Sequence, residues 1–488
     1  MNTGSFVAGR WYHPESTRLV RNLNPADPSD IIAEFPSATA ADTQRAIESA
    51  KDAFRGWRDT PGPERGRVIW RAAEIARRRA EEIARTMTRE EGKILREARG
   101  EVTRGLAVLE YYAGAGFRIQ GRTMPAEARD TFTYTIRRPL GVVGLITPWN
   151  FPWAIPVWKS APALVAGNAV VLKPAELTPA TAILLAEIYE EAGVPAGVFN
   201  LVIGPGSEVG STLVDSPDVR AISFTGSNAV GMALNEQAAR RGAKVTCEMG
   251  GKNAVVVLPD ANLEKAATAI SSGAFASTGQ RCTATSRVVA HPAIKGELIE
   301  RVGALAAAMK LGPGLDETTD LGPAVSERQL QTNLDYIKIA NDEGARLVAG
   351  GRKAEGLPGY FVEPTIFDGV SPEARIFREE VFGPVLAVSA AGSLEEALAF
   401  ANGVEYGLSA SIFTQDIDTA LRFVEEVEVG MVYINEATVG GEVQLPFGGS
   451  KATGVGEREM SEEGLNFFTE IKTVFANYGQ TGKPLSMC

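Results

Sequence analysis

The sequence predicts an α/β protein: two doubly wound domains facing each other across a cleft, plus a small β segment set apart for oligomerisation. Three observations predict it. Short apolar runs rich in Val, Ile and Leu alternate with stretches of helical spacing from Gly141 to about Ile434, the rhythm of parallel strands joined by crossover helices. The 488 residues exceed what one hydrophobic core serves, so two or more domains are expected. Residues 131–136 and 471–475 instead alternate as half-exposed strands do.

Residues 1–35, broken by Pro14, Pro25 and Pro28, read as small strands and turns at an edge. Apolar residues then recur at three- and four-residue spacing, predicting helices over 39–54, 63–90 and 94–116. An isolated hairpin is marginal in water, so the strand over 131–136 is expected to project and pair with another subunit. Strands follow at 141–148, 169–173, 199–203 and 221–224, with helices at 153–165 and 178–192. A second series begins with strand 254–258, helix 263–276, strand 286–290 and helix 294–309. The tail strand, 471–475, is expected to join a neighbouring subunit. The domain division is 1–121 with 140–250 for a dinucleotide, 251–450 for a nucleophile-bearing domain, and 122–139 with 468–488 for oligomerisation.

Composition excludes several classes. Apolar residues at 44% and charged ones at 22%, with mean hydropathy near zero, describe an ordinary globular chain. A net charge of −11 argues against nucleic acid as the main partner, and Arg77-Arg78-Arg79 sits among acidic residues as a solvated helix face. No apolar run reaches the ~18 residues that span a bilayer and no signal-peptide core is present, so a cytoplasmic location is expected. Cys247, Cys282 and Cys488 make no disulfide framework. The two histidines, His13 and His291, each precede a proline. That argues against Ser-His-Asp or Cys-His catalysis and against a metal site. Acid–base work falls to carboxylates or lysines.

Two motifs carry candidate chemistry. Glu248-Met-Gly-Gly-Lys-Asn253 offers a carboxylate in a glycine-rich turn, and Gly279-Gln-Arg-Cys-Thr283 offers a cysteine among small and polar residues. A thiol attacks at neutral pH only if something removes its proton. A carboxylate relaying through water can do so, and can later activate a hydrolytic water. A lone cysteine is otherwise a small buried hydrophobe, which is the reading kept for Cys247. Pro148-Trp-Asn-Phe-Pro152 follows a strand and presents Asn150, an amide donor of the kind that stabilises an oxyanion. Lys173-Pro-Ala-Glu176 suits two ribose hydroxyls. Phe224-Thr-Gly-Ser-Asn-Ala-Val-Gly231 opens a helix whose N-terminus favours pyrophosphate. Glu379-Glu-Val-Phe-Gly-Pro384 and Pro446-Phe-Gly-Gly-Ser-Lys451 add turn-rich loops.

In this order and spacing, from about residue 5 to 478, these motifs resemble the NAD(P)-dependent aldehyde dehydrogenase superfamily. The resemblance implies an aldehyde dehydrogenase-like fold in which Cys282 is the nucleophile and Glu248 the general base. Asn150 and the Cys282 backbone N–H would form the oxyanion hole. Glu459 in Gly456-Glu-Arg-Glu-Met460 matches a proton-relay glutamate, with a surface ion pair as the alternative. Lys173 and Glu176 would hold the adenosine ribose, with Gly206, Gly226 and Ser227 near the pyrophosphate. Glu380 and Phe382 would hold the nicotinamide end, and Ile146, Thr147, Trp149, Gly210 and Thr225 complete the cofactor set. NAD is favoured, because Glu176 would repel a 2′-phosphate, and dual use of NADP stays open. The implied reaction runs through a thiohemiacetal and a thioester to the acid, in a homodimer or homotetramer.

Trp153-Ala-Ile-Pro-Val-Trp-Lys159, Gly279-Gln-Arg-Cys-Thr-Ala-Thr-Ser286 and Phe467-Phe-Thr-Glu-Ile-Lys-Thr-Val474 are most similar to α-ketoglutaric semialdehyde (2,5-dioxovalerate) dehydrogenases. Arg104 and Arg281 could grip the substrate carboxylate, among Phe151, Trp158 and Phe447. Arg104 could equally bond a neighbouring helix. An arginine that some semialdehyde dehydrogenases carry on the helix after Asn150 is absent. Succinate semialdehyde or broad aliphatic aldehydes are the alternative substrates, and a cofactor-independent thiol esterase is the alternative activity.

Overall fold

The structure, a computed structural model, describes residues 2–479; Cys488 and the last part of the 468–488 segment lie outside the described residues. Its first sheet contains β1 (Ser5–Val7), β2 (Arg10–Tyr12), β3 (Val142–Ile146), β4 (Ala169–Lys173), β5 (Phe199–Leu201), β6 (Val219–Thr225) and β7 (Lys244–Glu248). They run in the order β2-β1-β5-β4-β3-β6-β7, closed by a short strand at Gly454–Val455. Strands β3 to β7 are mutually parallel. Successive strands step one way from β3 to β5 and the other way from β6 to β7, so the order reverses between β3 and β6. A crevice opens at such a switch point, beyond the carboxyl ends of the strands. Ile146, Lys173, Thr225 and Glu248 are the last residues of β3, β4, β6 and β7.

Helices α1 (Ala40–Asp59), α2 (Gly62–Arg78), α3 (Ala80–Glu91), α4 (Leu95–Ala115), α5 (Ala154–Ala166) and α6 (Pro179–Glu191) pack on this sheet and on one another. The stretch expected as a single helix over 63–90 is two, because the backbone at Arg79 leaves helical geometry (φ −97°, ψ 12°). Helix α5 is buried on every side, which fits its nearly all-apolar sequence. It approaches α4 closely because Gly105 has no side chain and the Trp153 indole fills that space. This contact sets α4 beside the loop that carries Asn150.

The second sheet comprises β8 (Asn253–Val257), β9 (Thr285–Ala290), β10 (Arg346–Ala349), β11 (Thr365–Asp368), β12 (Val385–Ala390), β13 (Ser409–Phe413) and β14 (Met431–Ile434), in the order β10-β11-β12-β9-β8-β13-β14. All its pairs are parallel except β10 with β11. The chain passes from β7 to β8 through Met249-Gly-Gly-Lys252, so the first motif spans the two sheets.

The tail strand has a partner within its own chain and lies at the edge of a small sheet. Thr469–Asn477 pairs antiparallel along its whole length with Thr131–Pro139 of its own chain, and Thr123–Met124 adds a third strand. Period-two alternation identifies a strand and one buried face, but it does not say which edge the strand will meet.

Candidate active site

Cys282 sits on a loop under backbone strain. After the helix at Leu263–Phe275 the chain turns through Ser277 and Thr278, both left-handed at φ 51° and 56°, and Gly279 at φ 65°. Such conformations cost a residue with a side chain about 1–3 kcal/mol and persist only when their surroundings hold them. Glu97 Oε1 accepts from Ser277 N at 2.7 Å, and Thr278 Oγ1 donates to Gly322 O at 3.0 Å. A Cβ on Gly279 would run into the Gly383 carbonyl, so glycine alone fits there. Asn253 Nδ2 then donates to both Cys282 O and Ala284 O at 2.8 Å. Its place at the end of the glutamate motif was visible in the sequence, but not its grip on the cysteine loop. The result is a half-buried thiol at a fixed loop tip.

Asn150 is buried, and its Nδ2 donates to Gln280 O at 3.0 Å, two residues before the thiol. An amide carries two N–H donors, so a second remains for an oxyanion.

Glu248 ends β7 and is buried with no partner for Oε2 among the described residues. Gly448 (φ 146°) makes room for it, since a Cβ there would overlap the carboxylate. Burial, and then the charge of Glu459, pushes the Glu248 carboxyl well above the ordinary range, against the pull of Lys159 and Arg458. Burial, followed by the Glu248 and Glu380 carboxylates, pushes the Cys282 thiol up to about 12. Burial thus disfavours the charged form of both groups, so charge or water entering the cleft would favour the thiolate.

Glu459 does form an ion pair, but in the interior and not at the surface. Lys159 Nζ pairs with its Oε1, Ser223 Oγ donates to the same oxygen at 3.0 Å, and Trp158 Nε1 donates to Oε2 at 2.8 Å. Lys159 also donates to Ser223 Oγ at 2.7 Å. Its lysine lies within a motif read only for substrate preference, and nothing in that motif points to a glutamate so far along the chain.

A cavity of about 430 Å³ runs from Cys282 along the switch-point crevice, lined by Trp149, Asn150, Thr225, Gly226, Ser227, Glu380 and Phe382. Ser227 is the N-cap of the helix Asn228–Ala239, and Gly226 N donates to Glu248 O at 3.1 Å, tying the two strand ends together. Phe382 meets the Trp149 ring edge-on at 5.4 Å. Glu380 Oε1 accepts from Gly251 N at 3.0 Å, and its enclosure pushes the carboxyl up to about 7. Lys173 is buried, brought down to about 8 by burial, and donates to Pro174 O at 2.8 Å. Gly206 and Gly210 leave open space beside its stem. Glu176, half-buried, has Arg18 Nη2 at 3.7 Å. Ile146 ends β3 and Thr147 follows it, both buried, and the buried hydroxyls of Thr147 and Thr225 have no partner among the described residues. Unpartnered hydroxyls, a buried cation and a helix N-terminus along one groove fit a dinucleotide.

On the other side of the thiol, Phe151, Trp158 and Phe447 share one apolar cluster with Cys282, and the Trp158 and Phe447 rings lie 5.6 Å apart. Arg104, half-buried on α4, has Met460 Sδ at 3.6 Å from Nη2 and no carboxylate within ion-pair distance among the described residues. Burial, and then the charge of Cys282, pushes the Tyr433 hydroxyl up, against the pull of Arg104, and no sequence motif marked this residue. Arg281 is placed differently: its guanidinium donates to Ser277 Oγ at 2.9 and 3.1 Å and has Glu97 at 3.7 Å. That cation is already matched.

Comparison with known proteins agrees with this arrangement. The profile described as "Aldehyde dehydrogenase family" matches residues 11–474. The chain is 48% identical over 474 residues to the α-ketoglutaric semialdehyde dehydrogenase of Bacillus subtilis, across 96% of this chain and 97% of that one. It is 44% identical over 478 residues to the α-ketoglutarate semialdehyde dehydrogenase of Haloferax volcanii, across 97% and 99%. The solved structure of the NAD-dependent aldehyde dehydrogenase from Sinorhizobium meliloti matches with a TM-score of 0.96 at 35% identity, across 99% and 96%. A match over nearly the whole length, on a fold that carries a cysteine and a carboxylate at one crevice, has one conclusion: the chain belongs to the aldehyde dehydrogenase family.

Proposed function

We propose that this protein oxidises α-ketoglutaric semialdehyde (2,5-dioxovalerate) to 2-oxoglutarate with a nicotinamide cofactor, NAD in preference to NADP. Similarity to semialdehyde dehydrogenases along the whole chain supports the aldehyde. The observation that carries the substrate class is Arg104, a half-buried cation that feels the charge of Glu442 but has no carboxylate within ion-pair distance among the described residues. A guanidinium so placed offers a bidentate site for the carboxylate at the far end of a short aldehyde. Arg281 is spent on Ser277 and Glu97 and is left to shape the loop.

In this reading Glu248 takes the Cys282 proton, directly or through water, and the thiolate adds to the aldehyde carbon. The resulting oxyanion is received by Asn150 Nδ2 and the Cys282 N–H. The cofactor, when bound, supplies the hydride acceptor that turns the thiohemiacetal into a thioester. Glu248 then activates the water that releases the acid, and passes the proton toward Glu459 and Lys159. Lys173 and Glu176 hold the adenosine ribose, the loop at Thr225–Ser227 the pyrophosphate, and Glu380 with Phe382 the nicotinamide end. Residues 1–121 and 140–250 form the cofactor-binding domain, 251–450 the catalytic domain, and 122–139 with the tail from 468 the surface for self-association. Free cysteines at 247 and 282 fit a reducing, cytoplasmic setting.

The test is kcat/KM for 2,5-dioxovalerate, succinate semialdehyde and hexanal, each with NAD and with NADP. A clear preference for 2,5-dioxovalerate is expected. Preference for hexanal would leave the aldehyde chemistry standing and remove the substrate assignment.

A further inference from the structure

Lys93 lies in the turn between α3 and α4 and is buried. Its ammonium donates to Glu101 Oε2 at 2.6 Å and to the backbone carbonyl of Asn150, also at 2.6 Å. The ring of Phe151 covers it at 4.2 Å. The other oxygen of Glu101 accepts from Trp153 N at 2.9 Å and Ala154 N at 3.0 Å, the first free N–H groups of α5. Glu91 stands 3.9 Å from Lys93, and burial pushes its carboxyl up to about 8. Lys93 and Glu101, the closer pair, between them hold the backbone of residues 150–154 at three points.

Packing alone does not call for this arrangement. Well-packed apolar side chains commonly stabilise an interior as well as a buried ion pair does. What an ion pair adds is direction, because its hydrogen bonds fix where the attached backbone points. Here the attached backbone is that of Asn150, whose side-chain amide faces the loop of Cys282.

We propose that the Lys93–Glu101 pair is the positioning device of the oxyanion site: Lys93 fixes the Asn150 carbonyl, and with it the aim of the Asn150 amide, while Glu101 fixes the helix start behind it. This rests on the reading of Asn150 as the oxyanion donor. Lys93 and Glu101 touch neither substrate nor reacting atoms, and they act through Asn150.

The test is a double-mutant cycle between Lys93→Met and Asn150→Ala, read in kcat, in KM for the aldehyde and in cofactor Kd from fluorescence titration. Since Lys93→Met leaves Glu101 buried without its partner, Lys93→Met/Glu101→Gln is made in parallel. Glutamine keeps an acceptor for Trp153 N and Ala154 N, so the helix start survives while the hold on Asn150 O is lost. Displacing a catalytic group by about 1 Å costs about 10²-fold. The expected result is a kcat loss of about that size with cofactor Kd unchanged, and almost no further loss when either variant is combined with Asn150→Ala. Losses that multiply would show a purely structural role and overturn the proposal. A kcat left untouched in the neutral-pair variant would do the same. If Asn150→Ala alone keeps full kcat, the oxyanion reading itself fails, and the proposal falls with it.

Discussion

Asn150 Nδ2 and Gln280 O stand 3.0 Å apart, so the amide expected to receive the oxyanion is moored to the loop that carries Cys282. Neither group can shift without the other. Asn150→Ala therefore removes a donor and a mooring at once. Loss of one oxyanion donor costs about 10²–10³ in kcat, and a carbonyl robbed of its hydrogen bond costs about 1 kcal/mol of stability. Steady-state kinetics and a thermal melt read the two separately. A kcat within tenfold of the parent would mean that other donors receive the oxyanion.

The Cys282 thiol, raised to about 12 chiefly by burial, sets the pH behaviour of the cofactor-free protein. The thiolate is the reactive form, so below that value each unit of pH multiplies the reactive fraction about tenfold. Inactivation by iodoacetamide should accordingly steepen from pH 7 to pH 9 with a slope near one on a logarithmic plot. A plateau already reached near pH 7 would mean a thiol depressed by a nearby cation, the opposite of what its surroundings impose.

The alternation of strands and helices was legible in the sequence because each period reports a local buried face. The break at Arg79 was not, since α2 and α3 keep helical spacing on both sides of it. Cys282, Glu248 and Asn150 could be picked out from short motifs, and the fold brings their loops to one crevice. The contacts of Lys93, Lys159 and Asn253 escaped notice for one physical reason. Each has its partner far along the chain: Asn150 for Lys93, Glu459 for Lys159, Cys282 for Asn253. Arg104 and Arg281 both read as carboxylate grips in sequence, and the Glu97 and Ser277 contacts of Arg281 separate them.

Arg104→Met should discriminate between substrates. A hydrogen bond to a charged group contributes about 1.5–3 kcal/mol, so kcat/KM for 2,5-dioxovalerate should fall about 10- to 100-fold while hexanal turnover persists. Arg281→Ala should not separate the two aldehydes, because its cation is already matched by Glu97. Equal losses for both aldehydes in Arg104→Met would assign that arginine to packing.

In the proposed reading cofactor choice turns on Glu176 and on Arg18, which stands 3.7 Å from it. Glu176 accepts from a ribose 2′-OH and repels a 2′-phosphate, whereas Arg18 offsets that repulsion. Both side chains are partly exposed, so the effect is small, about fivefold at most. Arg18→Ala should raise the NAD-to-NADP ratio of kcat/KM and Glu176→Gln should lower it. Movement of both ratios in the same direction would remove the pair from cofactor selection.

The three strands Thr123–Met124, Thr131–Pro139 and Thr469–Asn477 leave Ile471 and Phe475 exposed at 62% and 65%. Three strands need an apolar face covered to be stable, and the chain's own core does not cover this one. Ile471 and Phe475 lie four residues apart on one strand, hence on the same face. A second copy of the chain is the expected cover. Ile471→Lys/Phe475→Lys leaves the chain's own core untouched, so the fold should persist while the particle mass in solution falls to that of a single 51.9 kDa chain. Light scattering on the parent and the variant decides it. If the variant keeps the parent's oligomer, the subunits meet elsewhere and this sheet needs another cover.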